Sequence, residues 1–467
     1  MPVSRGFVRP VHRAEARPAL RPIEYWTMPV ALLLLAGVAI GAAPAIAAGL
    51  ALVLHLTTVR DRTQFALALA LASLVVATAP ALGTREPELL RFALLAAVAV
   101  LTATERTGRR RLIGRMRTIA TLFMLVVSIS LAGIIITDVP RPTVEGVAAI
   151  GLLFVLLLLL AQNRWSAIDV LLDDLRMVHR AMFWLAAIGI GLGVLDRFAS
   201  RTAGIHGNPN TFAYLCLLGF ALDLGLRRTL DRSQRLIGAP LFLLGILASG
   251  SRGALVGALL APLHLLLRTR ARTSGAKALA GLGIGLSVLL AFPRSERLDP
   301  VGAAQRTFGG DALDLSGRQE AWTNMLSLWR ERPVLGRGLR TTEALGSAFA
   351  SGPDGFVYLG HSSYLQVLVE VGLIGFILTF GAIAAALVSP PPTGASERTA
   401  WVAGSSVVTA GLGHMTGESF LLGFGAPFPL VFWMGVVVTA LTSSARAPRN
   451  SVRTARRFQD RRPLRIE

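Results

Sequence analysis

Apolar residues in this chain come in long runs rather than in stripes. The runs recur from Met28 to Leu441, separated by short polar gaps. A helix crossing the ~30 Å hydrocarbon core of a bilayer needs about 20 mostly apolar residues. Runs of this kind fit neither the alternation of a half-buried strand nor the single face of a soluble amphipathic helix. In hydrocarbon every backbone polar group must be satisfied internally, and a helix does that within one segment. The pattern predicts an all-α fold, a polytopic membrane helix bundle of 12–14 transmembrane helices. These are placed near 28–42, 44–58, 64–81, 89–104, 118–137, 145–161, 181–197, 209–226, 237–249, 254–267, 278–292, 363–388, 400–418 and 424–443.

The polar gaps divide the chain. Residues 1–24 form a basic tail and 25–292 a first set of transmembrane helices. A large outside loop covers 293–361, a second set of helices 362–443, and a second basic tail 444–467. Segment 163–180 mixes Trp165, Ile168, Leu171, Leu172, Leu175 and Met177 with Asp169, Asp173, Asp174 and Arg176. It reads as an interfacial helix on the cytoplasmic side.

Charge fixes the expected orientation. The chain is 53% hydrophobic with a net charge of +20. So large a charge suggests nucleic acid until it is placed on the topology. The basic residues are arginines, with Lys277 the only lysine. They cluster at 5–21, 60–62, 106–117, 164–180, 227–235, 268–272 and 446–465, in alternate gaps between hydrophobic segments. That is the positive-inside rule, and with fourteen helices it puts every basic gap and both tails in the cytoplasm. The reading is a multi-pass membrane protein with both termini in the cytoplasm, and with the bilayer and not nucleic acid as partner. The arginine-bearing N-terminus fits an uncleaved first helix better than a signal peptide. Cys216 is the single cysteine, so no intramolecular disulfide forms, and it reads as helix packing.

The long outside loop departs from the charge rule. It carries Arg294, Arg297, Arg306, Arg318, Arg330, Arg332, Arg337 and Arg340. Long loops are partly exempt, yet so many guanidinium groups outside suggest an anionic ligand. Trp322, Met325, Leu326 and Trp329 fall at i, i+3, i+4, i+7. They predict a helix with one apolar stripe, lying on the bilayer surface or over the bundle. Ser316-x-x-Gln319 would start it as a capping box and Pro333 would end it. Arg318 would stand in its first turn, where free N–H groups favour an anion.

Several side chains could do chemistry. His361 sits at the mouth of the helix that follows the loop. An imidazole there is a candidate general base facing water and a lipid-linked substrate, against an interfacial histidine with no role. Ser363-x-x-Gln366 is a second capping-box pattern. Glu370 lies deeper, where a carboxylate is costly unless paired or protonated. It would pair with Arg252 or cap loop N–H groups, and a structural role weighs at least as much as a catalytic one. Arg252, in the tight Ser251-Arg252-Gly253 hairpin, is held by a partner or a ligand, or snorkels to lipid phosphate. Asn208 is a candidate N-cap with Pro209 in the first helical position, ahead of substrate hydrogen bonding. His414 and Glu418 share a helix face but form no zinc motif, and no metal or other cofactor is implied. A Walker loop is absent from the sequence.

Read in order, the motifs are Gly207-Asn208-Pro209-Asn210, Ser251-Arg252-Gly253, Gly317-Arg318 with Trp322, Gly336-x-Gly338, and His361-Ser362-x-Tyr364-Leu365 with Glu370 and Gly372. Together they resemble the O-antigen ligase and polymerase superfamily of bacterial membrane glycosyltransferases. The resemblance covers roughly 200 to 390 by motif and the whole chain by hydropathy. It implies a GT-C-like bundle and a metal-independent glycosyltransferase. Such an enzyme moves a glycan from an undecaprenyl-pyrophosphate carrier to a glycan or lipid A-core-like acceptor on the outer face. It implies that Arg252 and Arg318 hold the pyrophosphate and that His361 activates the acceptor hydroxyl. Asn210, Arg337, Tyr364 and Glu370 are the accompanying substrate-binding candidates. Ligase and polymerase share these motifs. The competing reading is a polytopic transporter or flippase for a lipid-linked or anionic solute, which buried charges such as Glu370 and Glu418 would also serve. A non-catalytic partner in an envelope complex is the third.

Overall fold

The computed structural model describes residues 114–137, 139–162, 208–268, 318–349, 361–422 and 428–444, with single positions between 172 and 202. The helices expected near 28–42, 44–58, 64–81, 89–104 and 278–292, most of 181–197, and both tails lie outside the described residues. Ten described helices follow in order: α1 Gly114–Ile136, α2 Pro140–Gln162, α3 Pro209–Gly225, α4 Arg232–Ser249, α5 Arg252–Arg268, α6 Arg318–Glu331, α7 Thr341–Phe349, α8 Ser363–Leu387, α9 Ala395–His414 and α10 Phe428–Ser444. A two-residue antiparallel ladder, Arg197–Phe198 against Arg201–Thr202, is the one departure from helix among them. The molecule is the predicted helical membrane bundle. By length and composition α1, α2 and α8 contain stretches able to cross a bilayer, and α4 and α10 hold shorter apolar ones.

Small residues bring the central helices together. Helix α9 packs against α3, α5, α8 and α10. A Cβ on Gly257 of α5 would stand 2.3 Å from the Ala410 carbonyl oxygen, and one on Gly225 of α3 2.3 Å from the Ala403 Cα. Backbones approach this closely only where side chains are absent or small, the packing device of membrane helices. The outside is apolar: Leu131, Ile135, Leu259, Leu263, Leu267 and Ile377 are exposed, while Arg176, Asp223 and Glu370 are buried. That inversion suits a lipid surround rather than water. Cys216 is fully buried against α4, as packing requires.

Helix ends meet as the alternation of the sequence demands. At one end Arg268 donates to the carbonyls of Leu387 and Ser389. Arg180 pairs with buried Asp223 and reaches the Gln234 carbonyl at the start of α4. Leu172, Leu175, Arg176 and His179 are buried together, so this stretch of the expected interfacial helix packs into protein. All these groups belong to the side the sequence assigns to the cytoplasm.

Helix α8 is not the straight crossing its hydropathy predicts. Gly372 has φ 67 and ψ −173, non-helical values that break it into 363–371 and 373–387. Tyr364 and Phe380, about 24 Å apart along a straight helix, stack with ring centroids 5.0 Å apart. The two halves therefore fold toward each other. The break frees backbone groups, and the segment 333–338 takes them up. Arg337 and Gly338 donate to the carbonyls of Val369 (2.8 Å) and Glu370 (2.9 Å). Leu373 and Ile374 donate in turn to the carbonyls of Pro333 (2.8 Å) and Val334 (3.2 Å). Only glycine fits at the crossing, because a Cβ on Gly372 would lie 2.3 Å from the Val334 oxygen.

Helix α6 lies over this junction. Met325 and Leu328 pack on Val369, flanked by Trp329, Leu345 and Leu365. Of the two placements expected for the amphipathic helix, the one over the bundle is realised. Its buried face is rotated from the predicted stripe toward Ala321 and Leu328, leaving Trp322 and Leu326 half-buried. The helix ends at Glu331, short of Pro333, while Ser316 lies outside the described residues.

Candidate functional site

Four helix ends converge at the other end of the bundle. The local sequence explains each. Asn208 caps α3 by accepting from the N–H groups of Asn210 (2.8 Å) and Thr211 (3.4 Å), with Pro209 in the first turn. Gly250, in the left-handed conformation at φ 64, stops α4 so that α5 starts at Arg252. Helix α9 ends at His414, and a turn over 415–421 runs beneath the start of α8.

That turn, not a capping box, fixes the start of α8. Ser362 is the N-cap and makes no side-chain cap bond. The Ser363 N–H donates to the carbonyls of Met415 (3.1 Å) and Glu418 (3.0 Å). The Ser363 hydroxyl donates to the Glu418 carbonyl at 2.8 Å and accepts from Phe420 N–H at 3.0 Å. Gln366 turns away to Glu370, 3.3 Å. The predicted Ser363-x-x-Gln366 box is therefore corrected: tertiary partners outcompete the local bond.

His361 stands just before this junction with φ 42, in the left-handed region that non-glycine residues seldom occupy. Its side chain is 30% exposed, and Nδ1 lies 3.5 Å from Oε1 of Glu418. The same Oε1 accepts from Nδ2 of Asn210 at 2.5 Å. Asn210, Glu418 and His361 thus form a chain drawn from α3, the turn and α8. Arg252, half-buried, opens the helix beside it. Its neighbour Gly253 abuts the end of α9, where a Cβ would come within 3.0 Å of the His414 oxygen. Below lies an aromatic floor: Tyr214 stacks on His414 with centroids 4.6 Å apart and meets Phe420 at 4.3 Å.

The remaining candidates stand elsewhere. Arg318 is the first residue of α6, and its side chain lies outside what is described. Tyr364 donates to the Leu412 carbonyl at 2.9 Å, tying α8 to α9. Arg337 is buried, with Nε on the Leu328 carbonyl at 3.2 Å and Nη2 on Glu331. Glu370 is buried at the bend, accepting from Thr342 Oγ1 (2.5 Å), Gln366 and the Arg340 N–H. Of its two expected roles, capping loop groups is the one observed. Arg340 pairs with Glu145 and Glu343. Arg337 and Arg340 therefore each have a carboxylate of the protein itself as partner. Sequence reasoning passed over Thr342. It read Glu418 as sharing a helix face with His414 and as a buried charge, and did not join it to His361; in the structure α9 ends at His414 and Glu418 lies in the turn beyond.

The family comparison fits this geometry. Residues 237–380 match the model of the O-antigen ligase family, so the resemblance read from the motifs holds over α4 to the middle of α8. The match includes Arg252, Arg318, Arg337, His361, Tyr364 and Glu370, and stops short of Asn210 and Glu418. No curated protein matches the chain. The matched domain and the apolar helices support a multi-pass membrane protein with a glycan ligase or glycosyltransferase type of function.

Proposed function

We propose that the protein is a membrane glycosyltransferase that transfers a glycan from a polyprenyl-pyrophosphate carrier to an acceptor hydroxyl on the outer face. The observation that carries this is the corner where His361, paired to Glu418, stands at the same bundle end as Arg252 within an O-antigen ligase-like domain. His361 takes the proton of the acceptor hydroxyl. The acceptor oxygen bonds to the anomeric carbon as the bond from that carbon to the pyrophosphate oxygen breaks. The polyprenyl pyrophosphate leaves with the bonding pair. Arg252 and Arg318 stabilise the charge on it, a task suited to guanidinium forks. Arg337 and Glu370 shape the loop rather than touch substrate, since both are buried in its junction with α8. A transporter would gather its working groups near mid-membrane; here His361, Glu418, Asn210 and Arg252 stand at helix ends.

The test is glycan profiling of a deletion strain complemented with wild type or His361→Ala. Loss of surface polysaccharide with build-up of lipid-linked glycan supports the reading. Single repeat units on the carrier mark a polymerase, and long carrier-linked chains a ligase. An unchanged profile with His361→Ala overturns the assignment.

A further inference from the structure

We propose that Glu418, itself held by Asn210, is a positioning residue that orients His361 for proton abstraction and balances the imidazolium that forms. The inference rests on the glycosyltransferase reading above and names a part of that site outside the matched domain.

Both partners hang from one backbone junction. The Glu418 carbonyl accepts from the N–H and hydroxyl of Ser363, two residues beyond His361. The neighbouring Ser362 N–H donates to Ser419 Oγ at 3.1 Å. The spacing of imidazole and carboxylate is thus set by backbone bonds, not by the wandering of two side chains. Asn210 adds a third point, reaching the carboxylate from the first turn of a helix whose residues Ala213 to Leu218 are almost fully buried. His361 keeps its left-handed φ of 42 within this frame. Strain of that kind persists where the surroundings over-determine it, often at a working site. Accessibility follows the proposed roles: the Glu418 side chain is 18% exposed and that of His361 30%. The carboxylate is the more sheltered of the two, and the imidazole faces outward.

The chemistry follows from which nitrogen is engaged. Nδ1 faces Glu418 at 3.5 Å. That is long for a hydrogen bond, as such contacts often are before substrate closes the site. A carboxylate there favours the tautomer with the proton on Nδ1, which leaves the Nε2 lone pair for the acceptor. When Nε2 takes the acceptor proton, Nδ1 keeps its own and the imidazolium is balanced by an ionised Glu418. The proton leaves Nε2 afterwards to water. Among the described residues, the other ionisable groups at this end, element by element, are Tyr214 on α3, Arg252 on α5, His414 on α9 and Tyr364 on α8. Glu418 is the one paired with the imidazole.

The experiment uses purified full-length protein and solubilised membranes of the deletion strain, which supply donor and acceptor. Consumption of lipid-linked glycan is followed against donor concentration for wild type, Glu418→Gln, His361→Ala and the double variant. Glutamine keeps the shape and an acceptor for Asn210 but drops the charge. Expected is a fall in turnover of about tenfold or more, smaller than the roughly 10²–10⁴-fold loss of a general base. The loss should fall on kcat, with KM for the lipid-linked donor near its wild-type value. The double variant should be no worse than His361→Ala. Wild-type turnover overturns the proposal, as does a loss confined to KM or a double variant in which the two losses multiply. If Glu418→Gln does not fold, Asn210→Ala carries the same test, since Asn208 and not Asn210 caps α3. Wild-type behaviour there overturns it equally. Full turnover in His361→Ala would instead remove the general-base reading, so the two failures are told apart.

Discussion

His361 has two ring nitrogens, and the turn after α9 engages one of them. That leaves a single basic site, pointing away from the carboxylate, on a side chain that is partly exposed. Replacing His361 by Ala should lower transfer by roughly 10²–10⁴-fold while leaving membrane insertion intact. Accumulated lipid-linked glycan, set against protein level in isolated membranes, checks this. Arg252→Lys keeps the charge and loses the fork. Losing a charge-assisted hydrogen bond worth about 1.5–3 kcal/mol should slow transfer on the order of 10- to 100-fold, read in the same assay. His361 and Arg252 were legible in the sequence because each stands at the mouth of an apolar run, where a titratable or cationic group needs a reason. Glu418 was not. Its partners Asn210 and His361 are far away in the chain, and its i, i+4 spacing from His414 suggested a shared helix face, whereas α9 ends at His414.

The bend in α8 is the element that sequence periodicity could not reveal. Hydropathy reads 363–387 as one unbroken run, and glycine inside a membrane helix usually marks close packing rather than a break. Here the left-handed φ of Gly372 and the Val334 oxygen 2.3 Å from a would-be Cβ act together. Gly372→Ala should cost at least the ~1–3 kcal/mol of a non-glycine residue in that conformation. A lowered thermal midpoint in detergent, with loss of transfer, is the expected result. Thr342→Val at the same junction removes a hydroxyl from buried Glu370, a loss of about 1–3 kcal/mol by the same measurement. Helix α6, by contrast, was legible in type and in end. Its rotation escaped, because Met325 and Leu328 meet Val369 from a direction that the sequence does not encode locally.

At the scale of the whole molecule, small residues set how near the helices lie, and therefore where the site falls. Gly257→Leu should force α5 from α9, lowering detergent stability and displacing Arg252 from the turn that holds Glu418. Gly151→Ala is the contrast: none of the described residues lies within 4 Å of the added carbon on α2. It should keep transfer and gain up to about 1 kcal/mol from helix propensity, seen as an unchanged or raised melting temperature. The class of the bundle was legible because apolar runs and arginine gaps alternate, and the helix ends assigned to one side are the ends that touch. Which helices approach backbone to backbone was not, since many glycines and alanines are spread along the chain. The loop clasped into α8 also bears on how the protein is made. The carbonyls of Val369 and Glu370 and the N–H groups of Leu373 and Ile374 are completed by 333–338, which the ribosome delivers earlier. At a buried bend, water does not replace those partners. Helix α8 is therefore not complete on its own: the backbone at its bend closes only when a segment made before it has come to lie against it.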